Sequence, residues 1–376
     1  MNRKVTLLYI SLACVLSLQA QTRQQMGGVY YAYPEGPSAK TGTFGTATYV
    51  MSDSLNVPQG YAPFYISHYG RHGSRWMPKD DRYVWICKHF EDESNLTPLG
   101  LQVKGMLQRV WENARGNGGR LSKLGALQHQ GIAHRMFERY PQIFAAGNAV
   151  KARSSVVDRC AKSMQAFTSE LHSLQPGLNL DVKTDSADMA WIAYVSPEVK
   201  ALENRTHVQA QVSPRRFLLQ LFKDVSKVDE PLKLMTEMHT VASSIQDVGL
   251  NFSSYPQDIE DGLNALFTDD EFRAIYDANN LRMAINNGTV ATNEDIPARS
   301  AISLWQNIEA EADRALRSVK SSATLRFGHD TALYRLLSLL FDVNVPPAGA
   351  REEASLVVLG DEKEKMDRIV PMAANL

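Results

Sequence analysis

Cysteine is scarce in this sequence, which has three cysteines among 376 residues. Cys14 lies in an N-terminal apolar run, so Cys87 and Cys160 are the two that remain for the folded part of the chain. Two cysteines are too few for a structural zinc site built on sulfur ligands. A single disulfide bond stays open as an alternative, but we expect two buried thiols.

Net charge and long apolar runs are also lacking. The formal net charge of −1 argues against a non-specific nucleic-acid-binding protein, because such proteins are usually basic. No apolar run after the N-terminus is long enough to span a bilayer, so we expect no membrane span. A hydrophobic content of 44% with 22% charged residues is typical of an ordinary globular protein.

The first twenty residues have the layout of a secretory signal peptide. Arg3 and Lys4 precede an apolar run at 5–18, and small residues follow it. This order of charged, apolar and small residues predicts cleavage near Ala20. We therefore expect residues 1–20 to be removed and the mature protein to be exported, either to a periplasm or as a secreted protein.

The region after the predicted cleavage point contains few regular patterns. Residues 21–60 are polar and rich in Gly, Pro, Ser and Thr, which predicts an extended lead-in. A lipid anchor would use Cys14 instead of the cleavage near Ala20. We disfavour that alternative because Ser11 stands where a bulky aliphatic residue is wanted.

Short apolar or alternating stretches predict strands that are separated by helical patterns. The predicted strands lie at 62–67, 148–155, 179–185, 323–330 and 353–360. Residues 197–318 show helical patterns and few strand candidates. This order predicts an α/β fold, with a mostly parallel sheet flanked by helices and a mainly helical cap insertion. The core would comprise 61–196 and 319–376, and the cap would comprise 197–318.

Capping residues mark the starts of three predicted helices. Thr97 and Ser122 each precede a helical pattern, and Pro98 suits the first helical turn. Ser155, with Asp158 three residues later, resembles a capping box before the next helix.

Basic residues follow three of the predicted strands at the point where each strand ends. They are Arg71, His72 and Arg75 after the first strand, Arg153 near the end of the second, and His329 at the end of the strand at 323–330, where the carboxylate Asp330 stands beside it. The carboxyl ends of parallel strands meet at one edge of a sheet, where ligands bind. Guanidinium groups match phosphate oxygens in a bidentate manner, so this set predicts a phosphate site.

These motifs resemble those of the histidine acid phosphatases, the family that contains phytases and multiple inositol polyphosphate phosphatases. The matching elements are Arg71-His72-Gly73-Ser74-Arg75, Arg153-Ser154-Ser155 with Asp158-Arg159, and His329-Asp330. The resemblance covers roughly residues 60–190 and 320–376. An ordered set of this kind is more specific than a lone Arg-His-Gly.

The resemblance implies a role for each residue of the set. His72 would be the nucleophile that becomes a phosphohistidine, and Asp330 would be the general acid for the leaving group. The substrate's phosphoryl oxygens would be bound by Arg71, Arg75, Arg153 and His329. The resemblance implies no metal ion and no cofactor.

The sequence departs from the family pattern in three places. The proline expected two residues after Arg75 comes one position late, at Pro78. The sequence Arg326-Phe327-Gly328 resembles the inositol polyphosphate branch, yet Asp330 directly follows His329 where that branch often has His-Ala-Glu. The resemblance also leads us to expect one or two strands beyond Leu376.

Other interpretations of single residues stay open. His68 and His72 have the spacing of a helical metal pair, but the intervening glycine argues against a helix, so we expect His68 to be structural. Arg153 could serve in a salt bridge. We expect Arg159 to support the site or to pair with a carboxylate. Asp330 could also cap a helix, which is compatible with catalysis.

We therefore expect an exported phosphomonoesterase whose small-molecule substrates are inositol polyphosphates such as phytate. Lys79, Arg82 and Arg135 are candidates for contacting the additional phosphates. One alternative is a broad-specificity acid phosphatase for sugar or nucleotide monophosphates. Another is a non-catalytic protein that binds phosphate esters, and a third is a metal-dependent hydrolase that uses His68 and His72.

Overall fold

The structure is a computed structural model that describes residues 23, 25–30, 60–290, 292–318, 320–340 and 372–376. The predicted signal peptide, Cys14, most of the predicted lead-in and the predicted strand at 353–360 lie outside the described residues. Within the predicted lead-in, residues Gln25–Tyr30 form two short 3₁₀ turns on either side of a kink at Gly28, and this stretch is called the 25–30 segment below.

A parallel four-stranded sheet organises the fold. Its strands are β1 (Tyr65–Arg71), β2 (Ala149–Ser154), β3 (Asn179–Thr184) and β4 (Ser322–Gly328). Their spatial order is β1-β4-β2-β3, and every neighbouring pair is parallel. The prediction of an α/β fold with a mostly parallel sheet flanked by helices is therefore confirmed.

Helices connect the strands and fill the long interval between β3 and β4. They are α1 (Asp80–Lys88), α2 (Pro98–Ala114), α3 (Lys123–Arg139), α4 (Asp158–Leu174), α5 (Met189–Ile192), α6 (Pro197–Arg205), α7 (Arg215–Leu221), α8 (Pro231–Val248), α9 (Gln257–Asn264), α10 (Asp269–Asn287), α11 (Ile296–Arg299), α12 (Ile302–Leu316) and α13 (Asp330–Leu340). The described residues between 197 and 318 contain helices and no strand, and the domain boundaries themselves stay a prediction.

Two of the three predicted helix starts are confirmed. The Thr97 hydroxyl accepts a hydrogen bond from Gly100 N at 3.0 Å, and the Ser122 hydroxyl accepts one from Gly125 N at 3.1 Å. The capping box predicted at Ser155 is wrong, because α4 has Val157 as its N-cap and no side-chain cap bond. Ser155 instead continues the sheet, since its N–H donates to the Phe327 carbonyl at 3.0 Å.

Apolar clusters pack on both faces of the sheet. One cluster joins strands β2 and β4 to α3 and α4, with Phe167 and Phe327 at its centre. The second joins β1 to α12 and α13 through Tyr69, Leu304 and Leu333. Burying each such side chain contributes roughly 1.5–3 kcal/mol, so these faces hold the sheet in place.

The third apolar cluster lies away from the sheet. It packs α1 and α2 against α7, α8, α9 and α10. Helices α1 and α2 follow β1 directly in the chain, so this cluster connects the turn after β1 to the helical part of the molecule.

Residues 372–376 lie along the edge of β1 that no other described strand occupies. Tyr69 N donates to the Leu376 carbonyl at 3.0 Å, and Arg71 N donates to the Ala374 carbonyl at 2.7 Å. Ala373 N also donates to the His72 carbonyl at 3.1 Å. This antiparallel pairing satisfies backbone groups that an edge strand would expose and fixes the backbone where β1 ends.

The two cysteines of the described region are free thiols. Cys160 is buried and Cys87 is half-buried, so the expectation of two unbridged thiols is confirmed, with the difference that Cys87 keeps some exposure. A separate property of the described helices is that none combines the length and the apolar character needed to cross a membrane.

Candidate active site

The turn after β1 is pressed against the first turn of α3. A Cβ atom on Gly73 would collide with the backbone of Gly125, and a Cβ atom on Gly125 would collide with the backbone of Ser74. Glycine is therefore required on both sides of this contact. This close contact places the Arg-His-Gly motif directly against the Leu-Gly sequence at 124–125, although the two are far apart in the chain.

His72 is buried, with 1% of its surface exposed, and its tautomer follows from its hydrogen bond. Its Nδ1 lies 2.9 Å from the Gly73 carbonyl oxygen. A carbonyl only accepts hydrogen bonds, so Nδ1 carries the hydrogen and Nε2 keeps its lone pair. Burial and the charges of neighbouring arginines hold the pKa of His72 well below its usual value. A neutral imidazole with an unprotonated Nε2 is suited to nucleophilic attack.

Arg71 connects the end of β1 to the start of α13. Its side chain is completely buried, and its Nη2 lies 3.1 Å from the Asp330 Oδ2. Burial raises the pKa of Asp330, but the charges of Arg71, His329 and Arg75 lower it by more than burial raises it. The pKa of Asp330 therefore lies below its ordinary value. In the structure as it stands, Asp330 is therefore a carboxylate that neutralises part of a cationic cluster.

His329 lies at the end of β4 beside His72. The two ring centroids are 5.6 Å apart and the rings are nearly perpendicular. Burial, reinforced by the charge of Arg159, lowers the pKa of His329 to about 4. The residue before it must be glycine, because the Tyr69 hydroxyl occupies the space that a Cβ on Gly328 would need.

Arg75, whose charge also acts on His72, is held by an aromatic ring and a backbone carbonyl. Its guanidinium group stacks on the ring of Tyr30 at 5.1 Å, and its Nη1 donates to the Trp76 carbonyl at 2.9 Å. The preceding Ser74 donates its hydroxyl hydrogen to Asp247 and accepts a hydrogen bond from the Gln128 amide at 2.9 Å. This buried polar network fixes the backbone between His72 and Arg75.

Arg153 is the predicted site residue that the structure does not bring into this cluster. Its Nη1 donates to the carbonyls of Ala152 and Asp181, each at 2.8 Å, and its Nη2 forms an ion pair with the Asp181 carboxylate. Its Nε also lies 3.8 Å from the Asp188 carboxylate. The guanidinium group is thus held by β3 and the residues after it, which fits the alternative of a salt bridge.

Arg159, in the first turn of α4, lies within the cluster instead. Its charge contributes to lowering the pKa of both His72 and His329. Burial and the nearby charges of Arg75 and Arg71 lower the pKa of Arg159 itself. Among the described residues no carboxylate lies within ion-pair distance of it. The Asp-Arg sequence at 158–159 carried the signal for this residue, but the spacing alone did not distinguish it from Arg153.

His68 lies in the apolar core and not in the site. Its ring packs between those of Phe167 and Phe327, with centroids 5.5 and 5.4 Å away. Burial lowers the pKa of His68 to about 3. The part of the chain that the structure describes contains no group of three or more His, Cys, Asp or Glu side chains able to hold a metal ion.

A cavity of about 290 Å³ opens beside Arg75 and Asp330. The 25–30 segment forms one wall, and side chains of α8, α10 and α13 form the others. Of the three additional cations considered from the sequence, Arg82 lines this cavity, and Lys79 and Arg135 do not. Arg82 also forms an ion pair with Glu237 at 2.6 Å.

Sequence comparison finds a curated relative of this chain. The chain is 24% identical to multiple inositol polyphosphate phosphatase 1 of Gallus gallus over 270 residues, which cover 68% of this chain and 58% of the relative. The chain therefore spans less than two thirds of the length of the curated relative that it matches. No family model matches the chain.

Structure comparison finds solved phosphatase structures with a similar fold. The Bifidobacterium longum multiple inositol polyphosphate phosphatase, solved in complex with inositol hexasulfate, matches with a TM-score of 0.66 and 16% identity. That match covers 93% of this chain and 88% of the other. The phytase from D. castellii matches with a TM-score of 0.60 and 14% identity, over 96% of this chain and 77% of the other.

Proposed function

We propose that this chain is a histidine acid phosphatase and a phosphomonoesterase that acts on inositol polyphosphates. Its similarity in sequence and fold to such phosphatases supports this proposal. The observation that carries the proposal is the position of His72. Its unprotonated Nε2 belongs to a buried ring that is surrounded by the charges of Arg71, Arg75 and Arg159. A buried neutral nucleophile among fixed cations suits attack on an anionic phosphoryl group.

In the proposed first step, a bond forms between His72 Nε2 and phosphorus while the bond from phosphorus to the ester oxygen breaks. Asp330 donates its proton to the departing alkoxide. In the second step a water oxygen attacks phosphorus, the bond from phosphorus to nitrogen breaks, and the water proton passes to Asp330. The products are an alcohol and inorganic phosphate, and Asp330 regains the proton that it lost.

Asp330 must be protonated when the ester binds, although Arg71 favours its carboxylate form. A bound phosphate brings negative charge to the same arginines and competes with Asp330 for them. Opposite charges lower the pKa of a carboxyl group and like charges raise it, so substrate binding should raise the pKa of Asp330. The proton donor would then form only in the presence of substrate.

The cations of the site would take the place of the metal ion that many phosphoryl-transfer enzymes use. We assign Arg71, Arg75, Arg159 and His329 to the phosphoryl oxygens. Arg153 would act through its ion pair with Asp181 and would not contact the phosphate. Hydrolysis should therefore continue in excess chelator.

We infer the preference for inositol polyphosphates from the similar proteins, one of which was solved with inositol hexasulfate. A second candidate is a broad-specificity phosphatase for small monoesters. The cavity of about 290 Å³ beside Asp330 favours it, because ligand pockets of roughly 300–1,000 Å³ are typical and this one is at the small end.

Phosphate release from phytate and from p-nitrophenyl phosphate in EDTA tests both candidates. The proposal predicts chelator-resistant release by the wild type and none by His72→Ala. A higher kcat/KM for phytate would favour the inositol polyphosphate substrate, and a higher kcat/KM for the aryl ester would favour the broad phosphatase. A folded wild type that releases phosphate from neither would contradict the proposal.

We also propose export, which rests on the charged and apolar layout of residues 1–20. Expression of the full chain in a bacterial host with an outer membrane should give a mature protein in the periplasm or medium. N-terminal sequencing should find a start near Gln21, and a retained Met1 in the cytoplasmic fraction would contradict export.

A further inference from the structure

The 25–30 segment contacts two of the arginines that surround His72. The Val29 carbonyl accepts a hydrogen bond from Arg71 Nη2 at 2.8 Å. The ring of Tyr30 lies 5.1 Å from the guanidinium carbon of Arg75, and its hydroxyl oxygen lies 3.4 Å from Arg75 Nη1. Tyr30 is 5% exposed, so this contact is buried.

The 25–30 segment is also anchored by contacts that do not involve Arg71 or Arg75. Met26, which is 2% exposed, packs in the apolar cluster that includes α8 and α10. Arg23, just before the segment, donates to the Phe267 carbonyl at 2.7 Å and pairs with Asp269 at 2.9 Å. The segment is therefore held by the helical part of the molecule while it touches the end of the sheet.

Gly28 sets the direction of the chain at Val29 and Tyr30. Its φ of 60° and ψ of −124° form a combination that side chains other than glycine rarely adopt. Among the described residues other than its chain neighbours, a Cβ at Gly28 would meet only the Tyr276 ring, at an ordinary distance of 3.9 Å. Replacement by alanine would therefore change the backbone direction without creating a steric collision.

These contacts limit the motion of both guanidinium groups. The Tyr30 ring covers the guanidinium group of Arg75, and the Trp76 carbonyl accepts a hydrogen bond from its Nη1. Arg71 Nη2 is held by the Val29 carbonyl on one side and by Asp330 on the other. Donors that are already oriented lose less conformational entropy when they bind an anion, so orientation increases affinity.

We propose that the 25–30 segment positions the phosphate-binding arginines, with the Tyr30 ring orienting Arg75 and the Val29 carbonyl orienting Arg71. This inference rests on the proposed function, since it concerns the same site. Tyr30 and Val29 are positioning residues, and their effect should appear in the affinity for inorganic phosphate, the product of the proposed reaction. It should appear more in KM than in kcat.

Three variants of the full mature chain and one control test the inference. Tyr30→Phe keeps the ring and should bind phosphate within about threefold of the wild type, whereas Tyr30→Leu removes the π face and should bind it about tenfold more weakly. Gly28→Ala should also weaken binding about tenfold, because it redirects the Val29 carbonyl. Gly147→Ala is the matched control.

Gly147 is a suitable control because it has a φ of 82° and, apart from its own chain neighbours, no described residue lies within 4 Å of the position that an alanine Cβ would occupy. It precedes β2, at the amino end of the strands, away from the site. Gly147→Ala therefore carries a similar backbone strain and should leave phosphate affinity unchanged. Melting temperatures of all four variants show whether each chain is folded.

Isothermal titration with inorganic phosphate, with KM and kcat for p-nitrophenyl phosphate, distinguishes the outcomes. Weaker binding by Tyr30→Leu and Gly28→Ala, with Tyr30→Phe and Gly147→Ala near the wild type, would support the inference. Unchanged constants in folded Tyr30→Leu and Gly28→Ala would overturn it while leaving the proposed function intact. A wild type that neither binds phosphate nor hydrolyses the ester would overturn the proposed function and this inference with it.

Discussion

Asp247 should make the protein lose stability as the pH rises from 5 to 7, and the loss can be worked out from its surroundings. The residue is completely buried on α8. Its Oδ1 accepts the Ser74 hydroxyl, and its Oδ2 has no hydrogen-bond partner among the described residues. Burial raises the pKa of Asp247 from 3.8 to about 8, although Ser74, Arg75 and Arg71 act in the opposite direction.

The direction of the change in stability with pH follows from the proton that Asp247 retains in the folded state. Between the unfolded and the folded pKa, the unfolded chain releases a proton that folding must take back, so stability falls as pH rises through this range. At 1.36 kcal/mol per pH unit, this costs about 4 kcal/mol at pH 7 and about 1.5 kcal/mol at pH 5. The difference of about 2.5 kcal/mol depends little on the folded pKa, provided that it lies above 7.

Asp247→Asn removes this titration and keeps the size of the side chain. Any constant cost of burying the amide cancels when the variant is compared with the wild type at two pH values. Urea unfolding should show Asp247→Asn gaining about 2.5 kcal/mol relative to the wild type between pH 5 and pH 7. Asp313→Asn, on the exposed side of α12, controls for the loss of one carboxylate. A difference between Asp247→Asn and the wild type that stays constant with pH would show that Asp247 is not protonated in the folded state.

Three further predictions concern the site and the turn that carries it. Arg159→Ala should weaken inhibition by inorganic phosphate at least tenfold, whereas Arg153→Ala should change it less than about threefold; the reverse order of inhibition constants would restore Arg153 to the site. Asp330→Asn should slow hydrolysis of alkyl phosphates far more than of p-nitrophenyl phosphate, because a good leaving group needs no proton; equal losses of kcat would exclude Asp330 as the acid. Gly125→Ala should lower the free energy of unfolding by roughly 1–3 kcal/mol and reduce kcat, because its Cβ would collide with the Ser74 backbone; an unchanged urea midpoint would show that the turn can move away.

The order of strands and helices was predictable because the alternation of short apolar stretches and amphipathic helices leaves few topologies for an α/β fold. Strand ends were less predictable. The first strand was predicted at 62–67, but β1 continues to Arg71 because Gly70 and Arg71 pair with Phe327 and Gly328 of β4. Pairing with a neighbouring strand overrides the weak local preference of glycine.

The candidate site was predicted in part. His72, Arg71, Arg75, His329 and Asp330 come together because each stands at the carboxyl end of a parallel strand, where position follows from topology alone. The direction of a side chain does not follow from topology. The sequence therefore does not distinguish Arg153, whose guanidinium group is held by Asp181, from Arg159 in the first turn of α4.

The contribution of Tyr30 was not predictable from sequence. Composition indicated an extended lead-in at 21–60, and Tyr30 is 45 residues away from the arginine that it covers. Contacts between residues so far apart in the chain carry no local pattern, since hydrophobic periodicity reports only on the element in which it occurs.

Trapping the covalent intermediate would show directly whether His72 is the nucleophile. Wild-type protein would be mixed with p-nitrophenyl phosphate, quenched within milliseconds in alkaline denaturant that preserves phosphohistidine, and digested for mass spectrometry. We expect one added phosphoryl group on the peptide that contains His72, and none in His72→Ala. A phosphoryl group on another residue, or a wild type that hydrolyses the ester at full rate with no phosphorylated peptide at any quench time, would contradict the proposed role of His72.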